Sequence, residues 1–94
     1  MDLKELLNQE SATLVDVREP FEYEAGHVEG SINIPLGNVA TEVDRFKVMS
    51  KPLILFCRSG GRSGMATALL KSKGLEDVHN GGGWEAVRDA KDEL

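Results

Sequence analysis

The sequence predicts an α/β fold in which a mostly parallel central sheet is flanked by helices on both faces. Short segments rich in β-branched and aliphatic residues alternate with segments of helical spacing, which is the pattern of βα units. One strand segment, Pro52–Phe56, is apolar without interruption, as expected where helices cover both faces of a parallel sheet. The chain has 94 residues, and we expect one small domain over residues 1–94.

The predicted strands are short and rich in aliphatic side chains. A weaker candidate at Asp77–Asn80 adds to three clear ones, and we interpret the Gly81–Gly83 run after it as a strand-to-helix turn. The three clear candidates are Ala12–Val17, Ser31–Ile34 and Pro52–Phe56.

The helical segments are predicted from apolar residues three and four positions apart. Pro20 suits the first turn of a short helix, which Gly26 is expected to end with a positive φ. Gly74 is expected to end the helix after the cysteine. The apolar positions that define the other helical faces are Leu3, Leu6 and Leu7; Val39, Val43 and Phe46; Met65, Ala66, Leu69 and Leu70; and Trp84 and Val87.

The charge distribution indicates what the protein binds. The net charge of −5 argues against nucleic acid or an anionic membrane as the main partner. Ten acidic residues lie between Asp2 and Asp44 and six between Glu76 and Glu93, whereas residues 45–75 contain none and hold seven of the eleven basic residues. This window favours a locally positive site for a small anion, and clustering of solvated charges is the alternative.

Cysteine and histidine usage excludes several classes of protein. A single cysteine cannot form a disulfide within the chain. The cysteine and histidine spacings do not match metal-binding patterns, so we expect no metal and no cofactor. No apolar run is long enough to span a bilayer, and the acidic, leucine-rich start of the sequence is not typical of a secretory signal. We therefore expect a cytoplasmic protein. We also expect a monomer.

The only cysteine, Cys57, lies between the most apolar strand and a helix expected to begin within residues 61–63. Unpaired N–H groups at a helix start favour an anion, and glycines let a loop curl with its N–H groups inward. The segment therefore predicts a thiol stabilised in its ionised form, with a buried structural cysteine as the alternative. The residues expected around the sulfur or a bound anion are Arg58, Ser59, Gly60, Gly61, Arg62 and Ser63.

Three stretches of the sequence together resemble a single rhodanese domain: LVDVREPFEYEAGHVEGSINIPL, the strand ending in FCRSGGRS, and NGGGWEAV. The resemblance runs from about residue 14 to residue 87 and implies the rhodanese-like three-layer fold. The matching motif residues are Asp16 and Arg18; His27, Gly30, Ser31, Asn33 and Pro35; and Cys57 and Arg62.

Loop length separates two branches that share this fold. Sulfurtransferases resembling this chain have a six-residue Cys-x4-Arg loop, whereas related phosphatases and arsenate reductases have a wider Cys-x5-Arg loop. Counting Cys57 as the first residue, Arg62 is the sixth and Ser63 the seventh, which favours sulfur transfer. A phosphatase or arsenate reductase of the same fold, and a non-catalytic regulatory binding module, remain the alternatives.

The resemblance implies a thiosulfate sulfurtransferase whose Cys57 becomes a persulfide. The donor would be a small sulfur anion such as thiosulfate, held by Arg58 and Arg62, and the acceptor a thiol, cyanide or a protein. We expect Asp16 and Arg18 to support the site structurally. His27 is expected to be a packed, hydrogen-bonded residue, and Trp84 to lie in the core.

Overall fold

The computed structural model describes residues 2–92 and contains a four-stranded sheet in the order β2-β1-β3-β4. Every neighbouring pair of strands is parallel, which confirms the predicted fold class. The strands are β1 (Thr13–Asp16), β2 (Ile32–Asn33), β3 (Leu53–Cys57) and β4 (Val78–Gly83).

In the part of the chain that the structure describes, six α-helices connect and cover the strands. A 3₁₀ turn at Ala40–Glu42 joins the third helix to the fourth, so the apolar spacing from Val39 to Phe46 belongs to two short helices and not to one. The helices are α1 (Leu3–Leu7), α2 (Pro20–Ala25), α3 (Leu36–Val39), α4 (Val43–Lys47), α5 (Gly61–Ser72) and α6 (Trp84–Asp92). Within residues 2–92, no helix is both long and apolar enough to cross a bilayer.

The core forms two layers of side chains, one on each face of the sheet. Successive side chains of a strand point to opposite faces, and β3 distributes its residues in this way. Leu53, Leu55 and Cys57 pack on the face covered by Phe46 of α4 and Leu70 of α5. The alternate residues, Ile54 and Phe56, pack on the opposite face with Leu7 of α1 and Val87 of α6. All five residues of β3 are buried, which explains its uninterrupted apolar sequence.

Helix α5 ends as predicted but is rotated relative to its predicted apolar face. Gly74 has φ +91°, and the N–H of Leu75 donates to the carbonyl of Leu70 at 3.1 Å, as in a Schellman termination. Met65 was expected on the buried face, but it is 65% exposed. The buried stripe of the helix consists of Ser63, Ala66, Thr67 and Leu70. Two of its members are polar, so apolar spacing alone misplaced the face.

The predictions made for Gly26 and for the Gly81–Gly83 run are both wrong, because Gly26, Gly81 and Gly83 make room for neighbouring atoms. Gly26 has φ 164°, which is extended backbone and not a left-handed helix end. A Cβ atom there would lie 3.2 Å from the Trp84 ring, so the absence of a side chain makes room for the indole. Gly81–Gly83 is not a turn, since all three residues belong to β4.

The glycine run lets β4 continue beside the cysteine. Gly82 pairs with Phe56 and Gly83 with Cys57, after a register shift between Leu55 and Phe56. A Cβ atom at Gly83 would lie 2.8 Å from the carbonyl oxygen of Arg58. A side chain at this position would therefore push β4 away from the loop that follows the cysteine.

We expect Gly83→Ala to destabilise the protein, because the methyl group would meet a main-chain oxygen that cannot move without shifting the cysteine loop. The unfolding free energy should fall by about 1–3 kcal/mol, the range for an overpacked site, and urea denaturation measures it. Gly37→Ala is the control, since a Cβ atom there meets nothing within 4 Å. Its effect should stay within about 0.5–1 kcal/mol. Equal midpoints for the two variants would contradict this account of β4.

Candidate active site

The Cys57 sulfur lies at the carboxyl edge of the sheet, between strand β3 and helix α5. The residue ends β3 and is 1% exposed. Its sulfur accepts a hydrogen bond from the Gly60 N–H at 3.0 Å, and the Ser63 hydroxyl lies 3.4 Å away. The thiol is therefore held between the loop backbone and the first turn of α5.

The curled backbone predicted for both glycines of the loop is observed at one of them. Gly60 has φ +103°, and a Cβ atom there would lie 3.3 Å from the Cα of Gly82. A residue with a side chain would be strained in this conformation. Gly61 is the first residue of α5 and has open space around its Cα. Only Gly60 thus needs to be glycine for the loop to turn its N–H toward the sulfur.

Hydrogen bonds make the thiol of Cys57 more acidic than an ordinary cysteine. Burial raises the pKa of Cys57, because the charged thiolate loses hydration. The Ser63 hydroxyl and the N–H groups of Ser63, Ser59 and Gly60 lower it by more, so that the pKa falls from 9.0 to about 7. A substantial fraction of the sulfur is consequently thiolate near neutral pH, which is the nucleophilic form.

Arg62, predicted to help hold an anion, forms an ion pair with Glu22 of α2. Its guanidinium donates to both carboxylate oxygens, at 2.6 and 3.0 Å. Glu22 also accepts from the Glu19 N–H at 3.0 Å, as part of a capping box at the start of α2. The pair ties α2 to α5 and neutralises the charge that the loop was expected to offer an anion.

Arg58 is the loop guanidinium that faces solvent, and among residues 2–92 no carboxylate pairs with it. It borders an open cleft of about 330 Å³. Phe21 of α2 also borders this cleft and is 72% exposed. The other residues that line the cleft are Arg18, Glu22, Ala25, Trp84 and Glu85.

Asp16 and Arg18 are both buried and bind each other at the edge of the site. The Arg18 side chain donates from Nε and Nη2 to the Asp16 carboxylate, at 2.7 to 3.0 Å. The Arg18 N–H donates to the same carboxylate at 2.9 Å, and Nη2 also donates to the Gly26 carbonyl at 2.7 Å. Arg18 therefore pairs with an acid, and that acid is Asp16 itself.

The observed environments of Trp84 and His27 agree only in part with those that the sequence predicts. Trp84 packs on the core layer of α1 and α6, as predicted, and also borders the cleft, with the Arg18 guanidinium 4.6 Å from its ring. The His27 Nδ1 lies 2.8 Å from the Tyr23 carbonyl, and its ring stacks on Tyr23 at 3.9 Å. His27 is hydrogen-bonded as predicted, but it lies on the surface and does not line the cleft.

Two residues of the site were not predicted. Glu22 belongs to a Glu-x-x-Glu capping pattern after Arg18, but a capping pattern does not indicate a partner 40 residues away. Asn80 precedes the glycine run, and its side chain contacts both Ser63 and Gly60. No cluster of three or more metal-ligating side chains occurs in the part of the chain that the structure describes.

Comparison with known proteins places the chain among rhodanese-like proteins. The family described as Rhodanese-like domain matches residues 1–90. The thiosulfate sulfurtransferase GlpE of Pseudoalteromonas translucida is 36% identical over 91 residues, which are 93% of this chain and 86% of that protein. The uncharacterised protein YqhL of Bacillus subtilis is 39% identical over 69 residues, 73% of this chain and 54% of that protein.

Other relatives have different names and lengths. The tRNA uridine(34) hydroxylase of Buchnera aphidicola is 33% identical over 97 residues, which are 96% of this chain but 31% of that protein. The chain thus spans about half of YqhL and about a third of the hydroxylase.

Two solved structures have the same fold. A rhodanese from E. coli, solved with anions, matches with a TM-score of 0.71 and 34% identity, over 80% of this chain and 89% of that one. A Rhodopseudomonas palustris protein of unknown function, described as a possible tyrosine phosphatase, matches with a TM-score of 0.69 and 31% identity, over 86% of this chain and 68% of that one.

The acidity of the thiol predicts a pH profile. Alkylation of Cys57 should rise with a midpoint near pH 7, and Ser63→Ala should raise the midpoint by removing a hydroxyl donor. At pH 6 the variant should react about threefold more slowly, as expected for one lost hydrogen bond. Ser59→Ala is the control, because Ser59 contributes its backbone N–H. An unperturbed midpoint above pH 8 in the original protein would contradict the hydrogen-bonded cradle.

The Glu22–Arg62 pair predicts a pH dependence of stability. Hydrogen bonds from Arg62 and the Glu19 N–H lower the pKa of Glu22 from 4.5 to about 2. The pair therefore contributes stability above pH 4.5 that is lost as the pH falls toward 2. Glu22→Gln should lower the unfolding free energy by about 1 kcal/mol at pH 7, since the pair is partly exposed.

Urea denaturation at several pH values tests this, with Glu42→Gln as the control. Glu42 pairs with Arg45 on an exposed helix surface, so its loss should cost less than about 0.5 kcal/mol. The cost of Glu22→Gln should disappear near pH 2, where the carboxyl group loses its charge. A cost of the same size at pH 2 and pH 7 would show that the charge plays no part.

Proposed function

Because the chain belongs to the rhodanese-like domain family, we propose that it is a sulfurtransferase that carries a sulfane sulfur on Cys57. The observation that carries this proposal is the acidic, almost fully buried thiol at the head of a six-residue loop. Its sulfur accepts the Gly60 N–H and lies next to the Ser63 hydroxyl. Such an arrangement stabilises an anionic sulfur without a neighbouring base.

In the first half-reaction, the Cys57 thiolate attacks the outer sulfur of thiosulfate or a similar sulfane donor. A sulfur–sulfur bond forms to Cys57, and the bond between the two donor sulfurs breaks. The electron pair of that bond leaves on sulfite, so no oxidant or reductant is needed. The product is a Cys57 persulfide anion. In this proposal the exposed Arg58 of the loop, which also borders the cleft, attracts the anionic donor.

In the second half-reaction, a nucleophilic acceptor attacks the outer sulfur of the persulfide. The new bond forms to the acceptor, and the thiolate of Cys57 leaves and is restored. With cyanide the product is thiocyanate, and with a thiol it is the acceptor's persulfide. The two half-reactions share one enzyme intermediate, so ping-pong kinetics are expected. The acceptor comes from outside the chain, because the sequence has one cysteine.

The Arg62–Glu22 pair supports sulfur transfer over phosphate hydrolysis. The resemblance gives a phosphatase of this fold a wider Cys-x5-Arg loop that cradles a tetrahedral oxyanion. Here the Arg62 guanidinium donates to both oxygens of Glu22, so binding a phosphate would require breaking a two-bond ion pair. The shorter loop and the pairing of Arg62 with Glu22 both favour sulfur transfer.

Intact mass spectrometry tests the proposal directly. After incubation with thiosulfate, the protein should gain about 32 Da, one sulfur atom, as expected for a covalent intermediate. Cyanide should remove this mass and release thiocyanate, and Cys57→Ser should show neither effect. A matched control is the double variant Cys57→Ser/Ser72→Cys, which moves the thiol to the exposed end of α5 and should gain no sulfur.

The same experiment separates the competing functions. Absence of a sulfur adduct with several sulfane donors, together with phosphate release from an aryl phosphate, would overturn the proposal in favour of a phosphatase. Absence of both would overturn it in favour of a binding module without covalent chemistry. An adduct of equal yield on Cys57 and on the relocated thiol of the double variant would show that the loop contributes nothing to the reaction.

A further inference from the structure

The hydroxyl group of Ser63 has one proton and two acceptors within reach. The Asn80 Oδ1 lies 2.7 Å from the Ser63 oxygen, and the Cys57 sulfur lies 3.4 Å from it. Ser63 is fully buried, so water does not offer the hydroxyl a further partner. At any moment the proton points either toward the asparagine or toward the sulfur.

The Asn80 side chain is oriented by two further hydrogen bonds. Its Nδ2 donates to the Gly60 carbonyl at 3.1 Å, and its Oδ1 accepts from the Gly82 N–H at 3.0 Å. Rotating the amide by half a turn would place a carbonyl against a carbonyl and an NH₂ group against an N–H. The amide oxygen is therefore held facing Ser63.

We propose that Asn80 is a positioning residue that competes with the Cys57 sulfur for the hydroxyl proton of Ser63. When Cys57 is a thiol, Ser63 donates to Asn80, and its oxygen is free to accept the S–H proton. When Cys57 is a thiolate or a persulfide anion, Ser63 turns and donates to the sulfur. Asn80 Oδ1 then keeps only the Gly82 N–H.

The competition for the Ser63 proton limits how strongly the Cys57 thiolate is stabilised. Each ionisation of the thiol breaks the hydrogen bond between Ser63 and Asn80, so the thiolate and the persulfide are held less tightly than the cradle alone would allow. A loosely held persulfide passes its sulfur on more readily. This inference rests on the proposed role of Cys57 as the sulfur carrier.

The charged groups around the sulfur stay the same in the alanine variants that test this proposal. They are Arg58 of the loop, Arg62 of α5 with its partner Glu22 of α2, and Asp16 and Arg18 at and just after the end of β1. The pair of His79 and Asp77 lies near the start of β4, at the other end of that strand from the cysteine loop. Changes in the pH profile of Asn80→Ala therefore report hydrogen bonding and not a change in these charges.

A double-mutant cycle on thiol alkylation separates the two contacts of Asn80. Asn80→Ala leaves the Ser63 proton to the sulfur alone, so the alkylation midpoint should fall and the rate at pH 6 should rise about two- to fivefold, with lower thiolate nucleophilicity offsetting part of the gain. It also frees the Gly60 carbonyl, which loosens the N–H bond to the sulfur and acts in the opposite direction. In the Ser63→Ala background only this second effect remains.

The difference between the two backgrounds decides the result. In each background, the shift is the alkylation midpoint with Asn80→Ala minus the midpoint without it. The proposal is supported if this shift is more negative with Ser63 present than in the Ser63→Ala background. Equal shifts in both backgrounds would overturn it and leave Asn80 as a structural contact of the loop. His79→Ala, on the same strand and away from the loop, is the control and should leave the midpoint unchanged.

Asn80→Asp is a second variant in case Asn80→Ala does not fold. It keeps the shape and the Oδ1 acceptor but replaces the Nδ2 donor to the Gly60 carbonyl with an oxygen. Its stronger acceptor should raise the midpoint more with Ser63 present than in the Ser63→Ala background. The added charge and the lost bond to Gly60 affect both backgrounds equally. Alkylation needs no sulfur donor, so a missing sulfur adduct would refute the proposed function alone, whereas a missing coupling would refute this inference alone.

Discussion

The site depends on the close approach of strand β4 to the loop after Cys57. Gly82 and Gly83 pair with Phe56 and Cys57, and a Cβ atom on Gly60 would lie 3.3 Å from the Cα of Gly82. This approach is possible because the last three residues of β4 have no side chains. It brings Asn80 into contact with Ser63 and Gly60, and Gly60 in turn points its N–H at the sulfur.

Dipoles, more than net charge, stabilise the ionised sulfur. The acid-free window around Cys57 in the sequence suggests a positive site, but in the folded chain α2 brings Glu22 to Arg62. Asp16 likewise neutralises Arg18. The pKa of Cys57 is lowered by N–H and hydroxyl donors aimed at the sulfur. Fixed dipoles of this kind need no reorganisation when charge appears, and they act most strongly where water is excluded.

The errors of the sequence analysis have a common origin in polar or absent side chains at packed positions. Helical spacing with other apolar residues predicts Met65 on the buried face of α5, yet that face begins at Ser63, whose hydroxyl contacts the sulfur. Gly26 and Gly81 were interpreted through backbone conformation. Their neighbours in space, Trp84 and Ile54, explain them better, and such neighbours are not visible in local spacing.

The sequence by itself determined the α/β class, the parallel sheet, the two-sided burial of β3, and the position of Cys57 before a helix. These follow from local patterns, because strand and helix periodicity and the order of elements restrict how a sheet can be built. Only the tertiary structure decided that Glu22 pairs with Arg62 and that the Ser63 hydroxyl donates a hydrogen bond to Asn80. Both contacts join residues far apart in the chain, and they arise from how closely the packed elements approach, which one-dimensional patterns do not encode.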